Sequence, residues 1–197
     1  MPLKPIQTVT IFSGSADHLR QVYLQGAWEL GAVLARRGLT LVFGGGKTGL
    51  MGAVADGALE NGGQVVGVIN ESLNTPALAH AGLSRMEILP DLHTRKARMS
   101  ALADAYIALP GGYGTFDELF EALTWAQIGL HQKPIGLLNI DRYFNPLLAL
   151  LDHAIAERFI YPEHRQLIIC EEDPHILLEK MQAYRPPENL SRWVERP

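Results

Sequence analysis

Five short runs of this sequence are apolar almost from end to end, and they limit its fold more than any other feature. Residues 8–12 (TVTIF), 39–43 (LTLVF), 64–69 (QVVGVI), 105–109 (AYIAL) and 135–139 (IGLLN) lack the polar positions that one wet face would require. A strand on the surface of a sheet alternates apolar with polar side chains; a strand covered on both faces has no use for the polar ones. Weaker runs at 85–89 (RMEIL) and 166–170 (QLIIC) read the same way. Between the runs lie longer amphipathic segments, which predict helices over 18–37, 50–60, 94–102, 115–128, 144–158 and 174–184, with a short helix around 76–80. Strands alternating with helices imply an α/β fold: a Rossmann-like, doubly wound parallel sheet with helices on both faces. The 197 residues suit a single domain, expected over 1–184. The remainder, 185–197 (RPPENLSRWVERP), reads as a Pro-rich tail that wraps the surface or moves.

Composition removes several function classes. Hydrophobic residues are 47% of the chain and charged residues 19%, enough for a core and too apolar for disorder. The formal net charge of -4 leaves no basic footprint, so no nucleic-acid partner is expected. Cys170 is the one cysteine, which fits a reducing compartment; with no apolar run long enough to span a bilayer, the expectation is a cytoplasmic protein without a membrane partner. The seven histidines show no H-x-H or HExxH spacing, so no metal site is expected. The G-x-S-x-G elbow of esterases is also missing.

Ligands of doubly wound sheets bind beyond the carboxyl ends of the strands. Three such ends carry glycine: residues 13–15, 44–52 and 110–115. Glycine lets backbone N–H groups approach an anion, and a following helix N-terminus adds its dipole. In the middle loop Gly46-Lys47-Thr48 suggests a P-loop, but Leu41 stands where the leading glycine is needed. Gly44, Gly46 and Gly49 do satisfy G-x-G-x-x-G, and Glu71 lies where a ribose-binding acid would, which keeps an NAD-binding oxidoreductase as an alternative. The last loop, Pro110-Gly111-Gly112-Tyr113-Gly114-Thr115, offers the amides of Gly112, Gly114 and Thr115 to a phosphate, with Glu118 one turn further on. The same spacing, Thr115-x-x-Glu118, is also a capping box, in which the carboxylate folds back onto the helix end. In DLHTRKARM (91–99), Arg95, Lys96 and Arg98 cluster at a helix start. A solvated basic face is the plain reading; the functional one sends Arg95 to the same cleft, where its planar fork suits phosphate or ribose oxygens.

Together these stretches resemble the LONELY GUY (LOG) family of cytokinin riboside 5′-monophosphate phosphoribohydrolases. The resemblance rests on Gly14-Ser15, on Gly44-Gly45-Gly46 with Gly49-Leu50-Met51-Gly52, and on Arg95-Lys96 with Met99. It continues through PGGYGT (110–115) with Glu118, Thr124-Trp125 and Lys133-Pro134. The resemblance implies hydrolysis of the N-glycosidic bond of adenine-type nucleoside 5′-monophosphates to free base and ribose 5-phosphate, with no cofactor. It implies Arg95 and Glu118 as the catalytic pair. Substrate or phosphate contacts would come from Gly14, Ser15, Gly45, Gly46, Met51, Lys96, Gly111, Gly112, Tyr113, Gly114, Thr115 and Thr124. It also implies a homodimer with the site near the subunit interface. Many relatives carry the label lysine decarboxylase, which nothing in this sequence supports. Molybdenum-cofactor carriers look like relatives on the same fold, so a non-catalytic nucleotide or cofactor carrier is the second reading. The chain departs from the family pattern at Ser13, often Cys, near Asn70, often Pro, and at Ala77, where many relatives carry a glutamate tied to substrate contact.

Overall fold

The computed structural model describes residues 5–188 and Leu190. The strands are β1 (Thr8–Phe12), β2 (Thr40–Phe43), β3 (Val65–Asn70), β4 (Arg85–Leu89), β5 (Ala105–Ala108), β6 (Ile135–Leu138) and β7 (Ile168–Glu171). All pair in parallel in one sheet of order β4-β3-β2-β1-β5-β6-β7. The helices are α1 (Gln21–Arg36), α2 (Gly49–Glu60), α3 (Leu92–Leu102), α4 (Tyr113–Gln127), α5 (Asn145–Ala156) and α6 (Pro174–Ala183).

The apolar runs are buried on both faces, as their composition requires. Along β1, β2 and β5, Val9, Ile11, Leu41, Phe43, Ala105 and Ile107 pack with α1, α2 and α6. Their neighbours Phe12, Val42, Tyr106 and Ala108 pack on the other face with Met99 of α3, Leu119 of α4 and Phe144. Strand order reverses between β1 and β5, so the loops leaving these two strands diverge and open a crevice. Among the described residues no helix is long and apolar enough to cross a membrane.

Several boundaries differ from the sequence expectation, each for a local reason. Helix α1 starts three residues late, because His18 takes φ 58 and Arg20 is extended. Helix α3 starts early: the Asp91 carboxylate accepts from Thr94 N at 2.8 Å and caps it. The short helix expected around 76–80 is absent; a 3-10 turn lies at Glu71–Leu73, and Ala79 instead bridges Gly46. Helix α4 starts at Tyr113 with Gly112 as its N-cap, so Thr115 lies inside the first turn and the capping-box reading fails. The expected tail falls mostly outside the described residues, although Leu190 packs against the second cluster.

Candidate active site

The crevice at the strand reversal is closed at its base by contact between two loops. Gly14 N donates to Pro110 O at 3.0 Å. A β-carbon on Gly14 would lie 3.0 Å from Gly111 Cα, and one on Gly111 would lie 2.8 Å from Gly14 N. A side chain at Gly111 is excluded, and one at Gly14 would press on the facing backbone, which suits glycine to both positions. Above this contact opens a cleft of ≈ 370 Å³, walled by residues 13–16, by Pro110 to Thr115, and by Leu19, Tyr23, Leu50 and Tyr143.

Helix α4 points its N-terminus at this cleft. No side chain caps it, and Phe116 N makes the first backbone bond, to Gly112 O at 3.0 Å. The leading amides of a helix have no partner inside it. Gly112 and Gly114 have nothing within 4 Å of a hypothetical β-carbon, and both line the cleft. Tyr113 is 96% exposed at the mouth, and Thr115 is buried with its hydroxyl under Gly111. Uncapped amides, a helix dipole and open space are the features an anion site requires.

Glu118 lies five residues into α4, about 7.5 Å along the axis at ~1.5 Å per residue. Its carboxylate is not folded back on the helix end. Arg95 Nη1 donates to Glu118 Oε1 at 3.1 Å, and Arg95 Nε donates to Val68 O at 2.8 Å. Each of the paired side chains is only 11% exposed. Burial pushes the Glu118 carboxyl up to about 7, against the lowering effect of Arg95. The group therefore titrates near neutrality, where a carboxyl can act as a base or as an acid. The arginine is held in place by packing too: a β-carbon on Gly44 would overlap both Arg95 Nη2 and Met51 Cε. Met51 links the pair to the cleft, since its backbone N reaches Gly14 O at 3.3 Å while its side chain covers Gly44 and Gly46.

The basic cluster on α3 is not a solvated face. Lys96 Nζ donates to Asp117 Oδ2 at 3.0 Å and to Glu121 Oε2 at 2.9 Å, and its side chain is 14% exposed. Burial opposes its charge, but these two carboxylates outweigh that and raise its pKa. Arg98 binds Glu87 on β4 through Nε and Nη2. Glu121 is thus half-buried and engaged in an ion-pair network with Lys96. Lys96, Glu118 and Glu121 line one niche together with Phe12, Met99, Tyr106 and Trp125.

The structure gathers Gly14, Ser15, Gly111, Gly112, Tyr113, Gly114 and Thr115 at the cleft, and Arg95, Lys96, Glu118 and Met51 beside it. It does not bring in three others. Gly45 packs on Ile69 and Met86 while its carbonyl accepts from His80 N, and Gly46 pairs with Ala79. Thr124 is exposed, donates to Phe120 O, and lines a separate ≈ 80 Å³ cavity with Leu151 and His164. Sequence reasoning missed Tyr23 and Tyr143 as cleft walls. It also missed Gly44 as the seat of Arg95, although its position at a strand end marked it.

Comparison with known proteins bears on this geometry. The family model described as "Possible lysine decarboxylase" matches residues 51–181. A probable cytokinin riboside 5′-monophosphate phosphoribohydrolase of Oryza sativa subsp. japonica is 47% identical over 176 residues, 89% of this chain and 79% of its own. A cytokinin riboside 5′-monophosphate phosphoribohydrolase of Arabidopsis thaliana is 40% identical over 186 residues, 94% of this chain and 86% of its own. This chain belongs to the LOG family. Among solved structures, the molybdenum cofactor binding protein of Rippkaea orientalis superposes on this LOG-family chain with a TM-score of 0.68 at 22% identity, over 89% of this chain and 95% of its own. The molybdenum cofactor carrier protein of Chlamydomonas reinhardtii gives 0.67 at 20%, over 90% and 98%. At that identity these two structures speak for the LOG fold and for nothing finer.

Proposed function

We propose that this LOG-family chain hydrolyses the N-glycosidic bond of an adenine-type nucleoside 5′-monophosphate, releasing free base and ribose 5-phosphate. The relatives' names point to cytokinin riboside 5′-monophosphates within that class. One observation carries the reading: a buried Arg95–Glu118 pair stands a turn and a half along the helix whose open N-terminus faces the cleft. A 5′-phosphate seated on the amides of Gly112, Gly114 and Thr115 directs its ribose along α4 toward Glu118. Breaking the glycosidic bond builds positive charge on the ribose, as in other oxocarbenium-like reactions. Ionised Glu118 stabilises that charge and takes a proton from the attacking water. The water oxygen bonds to the anomeric carbon as the electron pair of the broken bond leaves with the base nitrogen, which acquires a proton. Arg95, anchored on Val68 O, holds the carboxylate in place. Lys96 helps shape the site through Asp117 and Glu121, and residues 1–184 act as one nucleotide-binding domain.

We further read the chain as a cytoplasmic homodimer that uses neither nucleic acid nor membrane. The lone cysteine supports a reducing compartment, and the net charge of -4 supports the absence of a nucleic-acid partner. Exposed Phe120, Leu150 and Phe159, on or next to α4 and α5, support an association face near the site. Light scattering on the purified protein tests the dimer.

The activity is tested by incubating purified protein with AMP and with prenylated AMP and assaying released base. Release is expected from at least one. No release from any nucleoside monophosphate overturns the reading.

A further inference from the structure

The two carbonyls at the heart of the cleft loop are both held by donors from elsewhere in the fold. Pro110 O accepts from Gly14 N at 3.0 Å, and Gly111 O accepts from the Tyr143 hydroxyl at 2.5 Å. The second bond spans 32 positions in sequence and comes from a different strand–helix connection. Its consequence follows from peptide geometry. The C=O of Gly111 and the N–H of Gly112 belong to one planar trans unit, so they point in opposite directions. Glycine on both sides leaves that plane free to rotate, because neither residue restricts its backbone. A rotated plane would turn a carbonyl lone pair toward a bound anion. The Tyr143 hydroxyl selects the plane and covers the lone pair.

The fold invests in placing this hydroxyl. Tyr143 follows Asp141 and Arg142, which adopt φ 50 and φ 58, a region that costs non-glycine residues energy. Asp141 is held there by Arg20. Arg20 in turn stacks on Tyr23 at 4.6 Å, and Tyr23 meets the Tyr143 ring edge-on at 6.0 Å. On the other side, Asn139 Oδ1 accepts from Phe144 N at 2.7 Å and fixes the start of α5. Tyr143 and Tyr23 both line the cleft.

We propose that Tyr143 is a positioning residue for phosphate recognition: its hydroxyl sets the Gly111–Gly112 peptide so that the loop presents an amide, not a carbonyl, to the 5′-phosphate. The proposal rests on the reading of this cleft as a nucleotide phosphate site. Tyr143→Phe tests it, since the ring and its packing remain and only the hydroxyl is lost. Affinity is measured by calorimetry for ribose 5-phosphate and for inorganic phosphate, and steady-state kinetics with AMP and prenylated AMP. Loss of one hydrogen bond predicts weaker affinity and a higher KM, each by about tenfold, with kcat within about twofold of wild type. A merely structural role would reduce the amount of active enzyme, lowering kcat and leaving KM and affinity unchanged. Unchanged KM and affinity in Tyr143→Phe overturn the proposal. Wild-type protein that binds ribose 5-phosphate but releases no base overturns the proposed activity alone, and Tyr143 is still judged by its effect on affinity. Wild-type protein that binds neither probe overturns both.

Discussion

Two glycine-rich loops of this chain each leave a strand and enter a helix; the first satisfies G-x-G-x-x-G, but the second is already the stronger phosphate signal in sequence. The loop after β2 spells G-x-G-x-x-G, but the helix end it leads to is already occupied by the protein. Leu50 N and Met51 N donate to Gly14 O at 2.9 and 3.3 Å, and Thr48 Oγ1 donates to Ser15 O at 2.7 Å. The glycines of the loop after β5 line the cleft. The first loop fastens the second's neighbour in place; the second leads to a helix end with no side-chain cap. A pyrophosphate on α2 would have to displace Gly14, so the NAD-binding alternative loses its anion site. Glu71 fits that alternative no better, since it sits exposed in a 3-10 turn. The lesson is that a helix N-terminus is an anion site only while its amides are unspent.

The contrast breaks most sharply at Glu118, which has no counterpart on α2. Glu118→Gln keeps the volume and an acceptor for Arg95 but removes the charge. Base release from AMP or its prenylated form should fall by about 10²–10⁴, the usual contribution of a positioned base. Binding of AMP, read by calorimetry, should persist because the amides are untouched. Retained turnover would show that the open helix end alone accounts for the chemistry.

Acidity sharpens the same point. Burial raises the Glu118 carboxyl to about 7, so the ionised form that the proposed mechanism uses as base is lost as pH falls below that value. The rate kcat/KM should rise about tenfold per pH unit below about 7 and level off above it, with the limb absent in Glu118→Gln. Stability should move the other way. The folded state holds the Glu118 proton more tightly than the unfolded chain between its ordinary value of 4.5 and about 7, so this group makes stability decline as pH rises through that window. Urea midpoints at pH 5 and pH 8, compared between wild type and Glu118→Gln, check the sign.

How much of this was legible in the sequence depends on the range of the interaction. Seven strands, six helices and the parallel sheet follow from local apolar runs and their spacing, because burial on both faces acts on each run by itself. The PGG loop was legible for the same reason. Whether Glu118 capped its helix or faced Arg95 was not, since the deciding contact spans 23 positions. Nor was the filling of α2 by Gly14, or the arrival of Tyr143, because both come from strands that are neighbours only in the folded sheet. Arg95 looked like surface for a related reason: its partner carboxylate, Glu118, lies on α4, beyond any helical repeat of α3.

Substituting the glycines separates the two loops by what they damage. Gly49 has φ 59, and a β-carbon there would press on Ala16 O at 2.7 Å and Gly14 O at 2.9 Å. Gly49→Ala should cost about 1–3 kcal/mol of stability, with KM unchanged in the folded fraction. Gly112 has φ -102 and nothing within 4 Å. Gly112→Ala should leave stability within about 0.5 kcal/mol, while the added methyl enters the anion site and raises KM several-fold. Chemical denaturation and steady-state kinetics on both variants test the crossing. If both lose stability, or both raise KM, the two loops do not divide the work.

The smallest effect should come from Thr48, which caps nothing with its side chain and instead reaches across to Ser15 O at 2.7 Å. Thr48→Val removes that donor and keeps the shape. The bond is exposed, so its loss should cost no more than about 1 kcal/mol. Its value lies in direction. Ser15 lies in the loop that lines the cleft, one residue beyond the glycine that holds Pro110 O. If the first loop acts only as a fastener, the small loss appears in the urea midpoint and phosphate affinity stays at the wild-type value. A loss of phosphate affinity larger than the loss of stability would mean that the fastening loop also tunes the site, and the division between the two loops would no longer hold.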